Sequence, residues 1–294
     1  MALFSISQLG RFSGIKPHTI RAWETRYKAL SPSRSLGNTR YYDSNQMKRL
    51  LTMVSLVNAG YRASEVAPLP DDRLEVLLES AYRSNTQTER YFISQLIAAG
   101  MSYDITRFEN IYDHCVGRYR LKNAYQFVLL PMLERVGMLW KCDKASPPQE
   151  HFVSNIIRQK LCAAVEAIPS ARPNSEKWLL FLPENEFHEL GLLVAHNLIR
   201  LSGKEVIYLG ANVPWSALPT AVRDIRPDNI LFFSVYQELP KHALPHLQQF
   251  EESFSGKNIY AAGSGTSILR SFTGKKVQFL KTVEALTAVL ASGT

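Results

Sequence analysis

Two clusters in this 294-residue chain hold side chains that could do chemistry together. One is Trp140 followed, after nine intervening residues, by Glu150-His151. The other is Glu186-Phe187-His188-Glu189-Leu190-Gly191, placed directly after the apolar run Trp178–Leu182. In the second cluster one imidazole nitrogen can bind a metal while the other donates to the Glu186 carboxylate, an arrangement that fixes a histidine ligand's tautomer and direction. A histidine at the mouth of a sheet, with a second cluster on a helical segment upstream, offers two faces to a large flat cofactor. Taken singly, each group has an ordinary reading as well. Trp140 suits a core, Glu150 suits the first turn of a helix where it complements the dipole, and a loop histidine is usually at the surface. His242 and His246 have the i, i+4 spacing of a helical metal pair, but Pro245 lies between them and no third ligand is evident, so a surface reading is preferred.

The elements that must position these groups are legible as alternating patterns. Strand-like runs at Trp178–Leu182, Glu205–Leu209, Asn229–Ser234, Asn258–Ala262 and Val277–Leu280 are separated by helical patterns. This alternation predicts an α/β doubly wound parallel sheet, with ligands at the carboxyl ends of its strands. The distinctive loops then share one edge: Glu186–Gly191, Gly210–Pro214, Ser234-Val-Tyr236 and Ala262-Gly-Ser-Gly265. From Asp71 to about Ile168 the periodicity is helical, as in Leu74, Leu77, Leu78 and Ala81, with a polar turn at Ala145–Pro148, and predicts a helical bundle.

Charge is concentrated at the N-terminus. Residues 1–70 hold ten Lys or Arg against three Asp or Glu, so +7 of the net +8 lies there and marks a polyanion-binding surface. Ser5 and Gln8 form a capping box for a helix starting at Ile6 and ending at Gly14, and Phe4 can staple onto Leu9. Pro17 suits the first turn of a second helix with Ile20, Trp23 and Tyr27 inward, leaving His18, Thr19, Arg21 and Arg26 outward. Two short helices with a tight turn and a cationic outer face fit a reader of the major groove. Gly37-Asn38 marks a hairpin tip flanked by Arg34, Arg40 and Tyr41, a wing for gripping phosphates, and Asp43 with Gln46 caps the next helix. Pro68-Leu-Pro70 reads as a hinge. The organisation expected is therefore multidomain: an all-α winged helix-turn-helix over 1–70, a helical bundle over 71–172 and the α/β sheet over 173–294. The three cysteines lack CxxC spacing, and neither a signal peptide nor a membrane span is evident, which predicts a cytoplasmic protein.

The run His18–Tyr27, the later Arg40-Tyr-Tyr-Asp43 and the Gly60-Tyr61 turn resemble the MerR-type winged-helix domain over about residues 4–70. The resemblance implies that Thr19, Arg21, Arg26, Tyr27, Arg34, Arg40 and Tyr41, with His18 beside them, face double-stranded operator DNA. Relatives often dimerise through a long heptad helix directly after this domain; that pattern is missing here, so a homo-oligomer, dimer or tetramer, would form elsewhere. The C-terminal half resembles the cobalamin-binding domain, whose loop reads Asp-x-His-x-x-Gly and whose later strands end in Ser-x-Leu and Gly-Gly. By that resemblance His188 is the lower cobalt ligand, Glu186 and Gly191 complete its motif, and Ser234, Gly263 and Gly265 line the nucleotide tail. The helical segment resembles the cap of the same domain, and Trp140, Glu150 and His151 are spaced as in light-sensing regulators that bind adenosylcobalamin, where the three shield the adenosyl group.

Three positions depart from these patterns: Glu186 for Asp, Tyr236 for Leu, and Lys141 where some relatives carry His. The favoured reading is a DNA-binding repressor controlled by adenosylcobalamin, and by light, through ligand-dependent oligomerisation. The alternative is a regulator whose altered cobalamin domain senses another ligand or a protein partner. A cobalamin enzyme or corrinoid carrier has no use for a +7 winged helix, so no catalytic residue is expected.

Overall fold

The computed structural model describes residues 3–35, 38–83, 89–140, 147–235, 258–263 and 277–292. It divides into two compact units, Met1–Ile156 and Ile157–Thr294.

In the first unit, β1 (Phe4–Ser5), β3 (Arg40–Tyr42) and β2 (Ser33–Arg34) form a small antiparallel sheet in the order β1-β3-β2, which carries the wing. Helix α1 (Ile6–Ser13) begins where expected: the Gln8 side chain accepts the Ser5 backbone N–H, and Gly14 ends the helix at φ 72°. Phe4 meets Phe12 edge-on at 5.6 Å, and Phe4, Leu9 and Phe12 are all buried. Helix α2 (Pro17–Tyr27) turns Ile20 and Trp23 into the core. Helix α3 (Ser44–Asn58) is capped by Asp43, whose Oδ1 accepts the Gln46 N–H at 2.9 Å.

Helix α3 buries more than the single stripe its sequence suggests. Besides Met47, Leu50, Leu51 and Val54, it buries Thr52, Met53, Ser55 and Leu56, because a second face packs on α6 (Glu89–Met101). A helix covered on both sides is a central element, not a peripheral one. In α6 every residue from Tyr91 to Met101 is buried, and the helix also lies against α7 (Ile105–Ala124) and α8 (Leu130–Trp140). The α3–α6 contact contains a polar chain. Ser55 Oγ lies 2.6 Å from Ser94 Oγ, Gln95 Nε2 donates to Ser55 Oγ at 2.6 Å, and Arg107 donates to Gln95 Oε1 at 2.7 Å. With each buried polar group partnered, the contact escapes the penalty of an unsatisfied one.

The expected boundary between residues 70 and 71 therefore falls inside one compact unit. Pro68-Leu-Pro70, read as a hinge, is held by a single guanidinium: Arg49 donates to the carbonyls of Ala29, Ala67 and Leu69, each at 2.8 Å, and pairs with Asp71 at the start of α5 (Asp71–Arg83). At the other end of α6, Gln149 of α9 (Pro147–Glu166) donates to the Met101 carbonyl at 2.9 Å.

The second unit holds a five-stranded, wholly parallel sheet in the order β5-β4-β6-β7-β8: β4 (Lys177–Pro183), β5 (Glu205–Val213), β6 (Asn229–Phe233), β7 (Asn258–Ala262) and β8 (Val277–Leu280). The expected doubly wound class is what forms, with its switch point between β4 and β6. On one face Leu179, Phe181, Ile230 and Phe232 pack with Trp215, Leu218 and Val222 of the segment Trp215–Ile225. Helix α10 (Leu190–Leu201) packs along β5 and β4 and touches the last helix, Val283–Ser292. One expectation needs correcting: Gly210–Val213 is not a loop but the bulged end of β5, with register shifts opposite Leu180–Pro183. As an edge strand, β5 can continue through Gly210, at φ 79°, without a second neighbour to keep in register.

His196 of α10 stacks on Tyr208 at 5.0 Å and has a buried Nε2 with no hydrogen-bond partner among the described residues. Burial, and then the nearby Arg200, lower its pKa from 6.5 to about 4, so the folded chain holds it neutral. The unfolded chain binds the extra proton between these values, so stability rises with pH across that window and is lost on acidification through it. Denaturant midpoints measured from pH 7 down to pH 4 should fall more steeply for wild type than for His196→Phe, by up to about 1.4 kcal/mol per pH unit. Equal slopes would show that His196 does not charge on unfolding.

Candidate cofactor site and nucleic-acid interface

Strand β4 delivers its chain to a loop built around Glu186, whose carboxylate is 2% exposed. Its Oε1 accepts the backbone N–H of Phe187 and of His188, each at 3.0 Å, and lies 2.5 Å from His188 Nδ1. Its Oε2 accepts the Val235 N–H at 2.7 Å, just beyond β6. The extra methylene of Glu over Asp thus spans from the loop to the neighbouring strand. With Nδ1–H donated to the carboxylate, the imidazole carries its lone pair on Nε2, the form and basicity suited to a metal ligand. The His188 side chain is half exposed, so the ring stands at the surface of the sheet's carboxyl edge.

Two asparagines shape this loop. Asn185 and Asn212 have φ of 66° and 58°, in the left-handed region asparagine tolerates better than most residues. Asn185 N–H donates to Asn212 Oδ1 at 2.9 Å, and Asn212 N–H donates to the Glu186 carbonyl at 3.1 Å, tying the loop to the end of β5. Glu189, adjacent to His188 and preceding α10, accepts from Arg158 Nε at 2.7 Å and from the Tyr208 hydroxyl at 2.9 Å. Burial and the Glu189 carboxylate push the Tyr208 hydroxyl well above its usual range, so it stays a donor. This second bracket has no local signature in the sequence, because its members lie 31 and 19 residues apart.

At the ends of β6 and β7 the backbones close on each other. Ser234 is buried and donates its N–H to the Ala262 carbonyl at 2.9 Å. Gly263 has φ 109°, and a Cβ there would sit 2.2 Å from the Ser234 carbonyl oxygen. Only glycine fits. Glu186, His188 and Gly191, in the first turn of α10, thus gather on the same sheet edge as Ser234 and Gly263, while Gly265, Tyr236, Lys141, His242 and His246 lie outside the described residues. A loop histidine with its ring held by a carboxylate, at the carboxyl edge beside the switch point between β4 and β6, suits the protein ligand of a metal-centred cofactor. Glu150 closes the first turn of α9 and His151 follows it, with His151 Nδ1 3.2 Å from Glu150 Oε2; Trp140 ends α8, and its side chain lies outside the described residues.

In the first unit, His18, Arg21 and Arg26 are exposed along α2 and Arg34 on the wing, with Thr19, Tyr27, Arg40 and Tyr41 half-buried. Trp23 and Ile20 are core. Asn38 at the hairpin turn has φ 61°, and Arg34 pairs with its side chain. Arg40 is not a bare surface cation: its Nε donates to Glu24 Oε1 at 3.0 Å.

Residues 4–69 match the family described as MerR HTH family regulatory protein, and residues 92–163 match a B12 binding domain. The chain is 33% identical over 230 residues to the HTH-type transcriptional repressor CarH of Myxococcus xanthus, covering 76% of each protein. It is 27% identical to the repressor CarA of the same organism, over 97% of this chain and 95% of CarA. Among solved structures, the monomethylamine corrinoid protein of Methanosarcina barkeri shares the fold, with a TM-score of 0.56 and 10% identity, over 70% of this chain and 100% of that one.

Gly263→Ala tests the close approach of the β6 and β7 ends. With φ positive and the added methyl overlapping Ser234, the substitution should lower unfolding free energy by about 1–3 kcal/mol in denaturant titrations. A midpoint equal to wild type would mean that the β6 and β7 ends are not held this close.

Proposed function

Since the chain belongs to the MerR-type transcriptional regulators that carry a cobalamin-binding domain, we propose that it is a cytoplasmic, operator-binding repressor controlled by adenosylcobalamin and by light through its oligomeric state. The observation that carries the reading is the His188 ring held by Glu186 on a sheet edge where the Ser234 and Gly263 backbones also meet. Bound adenosylcobalamin supplies a cobalt–carbon bond that light can cleave. His188 would hold the cobalt through Nε2, Glu186 would keep the ring in the required tautomer, and Ser234, Gly263 and Gly265 would line the nucleotide tail, as the resemblance implies. The resemblance of their spacing assigns Trp140, Glu150 and His151 to the adenosyl group, which they would shield. No catalysis is assigned. The cofactor acts as a ligand with different affinity for two states, which is the thermodynamic requirement for it to shift one into the other.

DNA binding belongs to the +7 N-terminal segment, where Arg21 and its neighbours on α2 read bases and the wing holds phosphate. Joining two or more winged helices in a dimer or tetramer raises their joint affinity for an operator by effective concentration, so control of assembly is control of repression. Lys141 in place of a second histidine argues against a two-histidine product after illumination.

Absorption spectra on adding adenosylcobalamin should show a histidine-ligated cobalamin in wild type, and in His188→Ala a loss of that signature with affinity at least about tenfold weaker. In size-exclusion chromatography the loaded protein should form a larger species in darkness that dissociates on illumination, and Trp140→Ala should shrink the dark species. An unchanged spectrum in His188→Ala would overturn the axial assignment. An oligomer indifferent to ligand, light and Trp140 would overturn control by assembly.

A further inference from the structure

Glu24 is an acidic residue on the very helix that would meet a polyanion. It lies in α2 between the exposed Arg21 and Arg26, in a segment with only three acidic residues. Its side chain is 12% exposed and both carboxylate oxygens are used: Oε1 accepts Arg40 Nε at 3.0 Å, and Oε2 accepts the Tyr42 hydroxyl at 2.9 Å. Arg40 and Tyr42 stand two residues apart on β3 and so share one side of the strand. Tyr42 is fully buried, which anchors the second oxygen in the core of the unit. The carboxylate therefore joins the helix to the wing at a fixed distance.

This geometry decides what Arg40 offers to a ligand. Its Nε–H edge is engaged by Glu24, and among the described residues no partner is bonded to its two terminal NH2 groups, which form an edge able to grip a phosphate bidentately. An unheld arginine on a two-stranded wing would have to lose its side-chain freedom on binding; here the freedom is already lost in the free protein.

We infer that Glu24 is a positioning residue for DNA, a carboxylate whose role is to aim Arg40 at the backbone. The inference rests on the reading of the winged helix as the DNA-binding surface. Two effects of opposite sign compete at this site. Counting charge alone, removing an anion from the binding face strengthens attraction to phosphates. Removing a clamp frees Arg40 and weakens the contact.

The test is fluorescence anisotropy of the full-length protein with a labelled duplex of arbitrary sequence across a salt series, with thermal unfolding as the check on folding. Glu24→Ala should weaken binding several-fold and reduce the slope of log K against log salt by about 0.9, the value for one lost phosphate contact. Arg40→Ala should do the same, and the double variant should be no worse than Arg40→Ala. Glu24→Asp keeps the charge but shortens the arm, so it should fall with Glu24→Ala, whereas Glu24→Gln keeps an acceptor for Arg40 and should retain the wild-type slope. If Glu24→Ala does not fold, the Asp and Gln pair decides alone. Tighter or unchanged binding with a wild-type slope in Glu24→Asp and Glu24→Ala, while Arg40→Ala is weakened, would overturn the positioning role and leave the DNA surface standing. A wild-type protein that does not bind the duplex would overturn the DNA-binding reading itself.

Discussion

A buried carboxylate needs donors, and at the carboxyl edge of the sheet the fold is arranged around meeting that need for Glu186. Left unmatched, such a charge costs several kcal/mol. Here two backbone N–H groups of its own loop, the ring of His188 and the N–H of Val235 answer it. Hydrogen bonds to a charged acceptor are roughly twice as strong as neutral ones. Because three of them converge on Oε1 and one on Oε2, turning the carboxyl group would break them together. The direction of the imidazole is thus set by the backbone of the adjacent strand and not by the loop alone. Glutamate in place of the shorter acid is consistent with this span.

Around this point the site is braced twice. Asn185 and Asn212 tie the loop to the end of β5, and Glu189 ties the start of α10 to Tyr208 of β5 and to Arg158 of α9. Consecutive residues His188 and Glu189 are therefore held by different partners. The ring nitrogen and the helix start cannot drift independently, which is the rigidity a metal ligand requires.

What the sequence made legible follows the range of the interaction. Caps such as Asp43 with Gln46 are visible because both members sit within one turn, and β4 and β6 are visible because buried parallel strands are continuous apolar runs. Glu186 and His188 are two residues apart, so their pairing could be expected before the fold was known. The partnership of Glu24 with Arg40 and Tyr42 spans 16 and 18 residues and gives no local signal, so Arg40 read as a plain surface cation. Likewise Ser55, Ser94 and Gln95 look like solvent-facing residues in a helical pattern, and only the packing of α3 on α6 shows them as a buried contact. The end of β5 reads as a loop because Gly210 and Asn212 carry the composition of one, while the strand continues through them.

The shared burial of α3 and α6 has a consequence for how this regulator can be divided. A winged helix joined to its bundle by a slack linker would be a separable module with its own unfolding transition. Here, cutting the chain after Pro70 would uncover the α3 face that includes the buried Ser55, together with the Arg49 guanidinium, which would lose Asp71. The same surface that completes the bundle is therefore part of what stabilises the head, so the two should unfold as one cooperative block. For an evolving sequence this ties the repertoire of heads to the bundles they fit: exchanging one for another requires the α3 and α6 surfaces to change together.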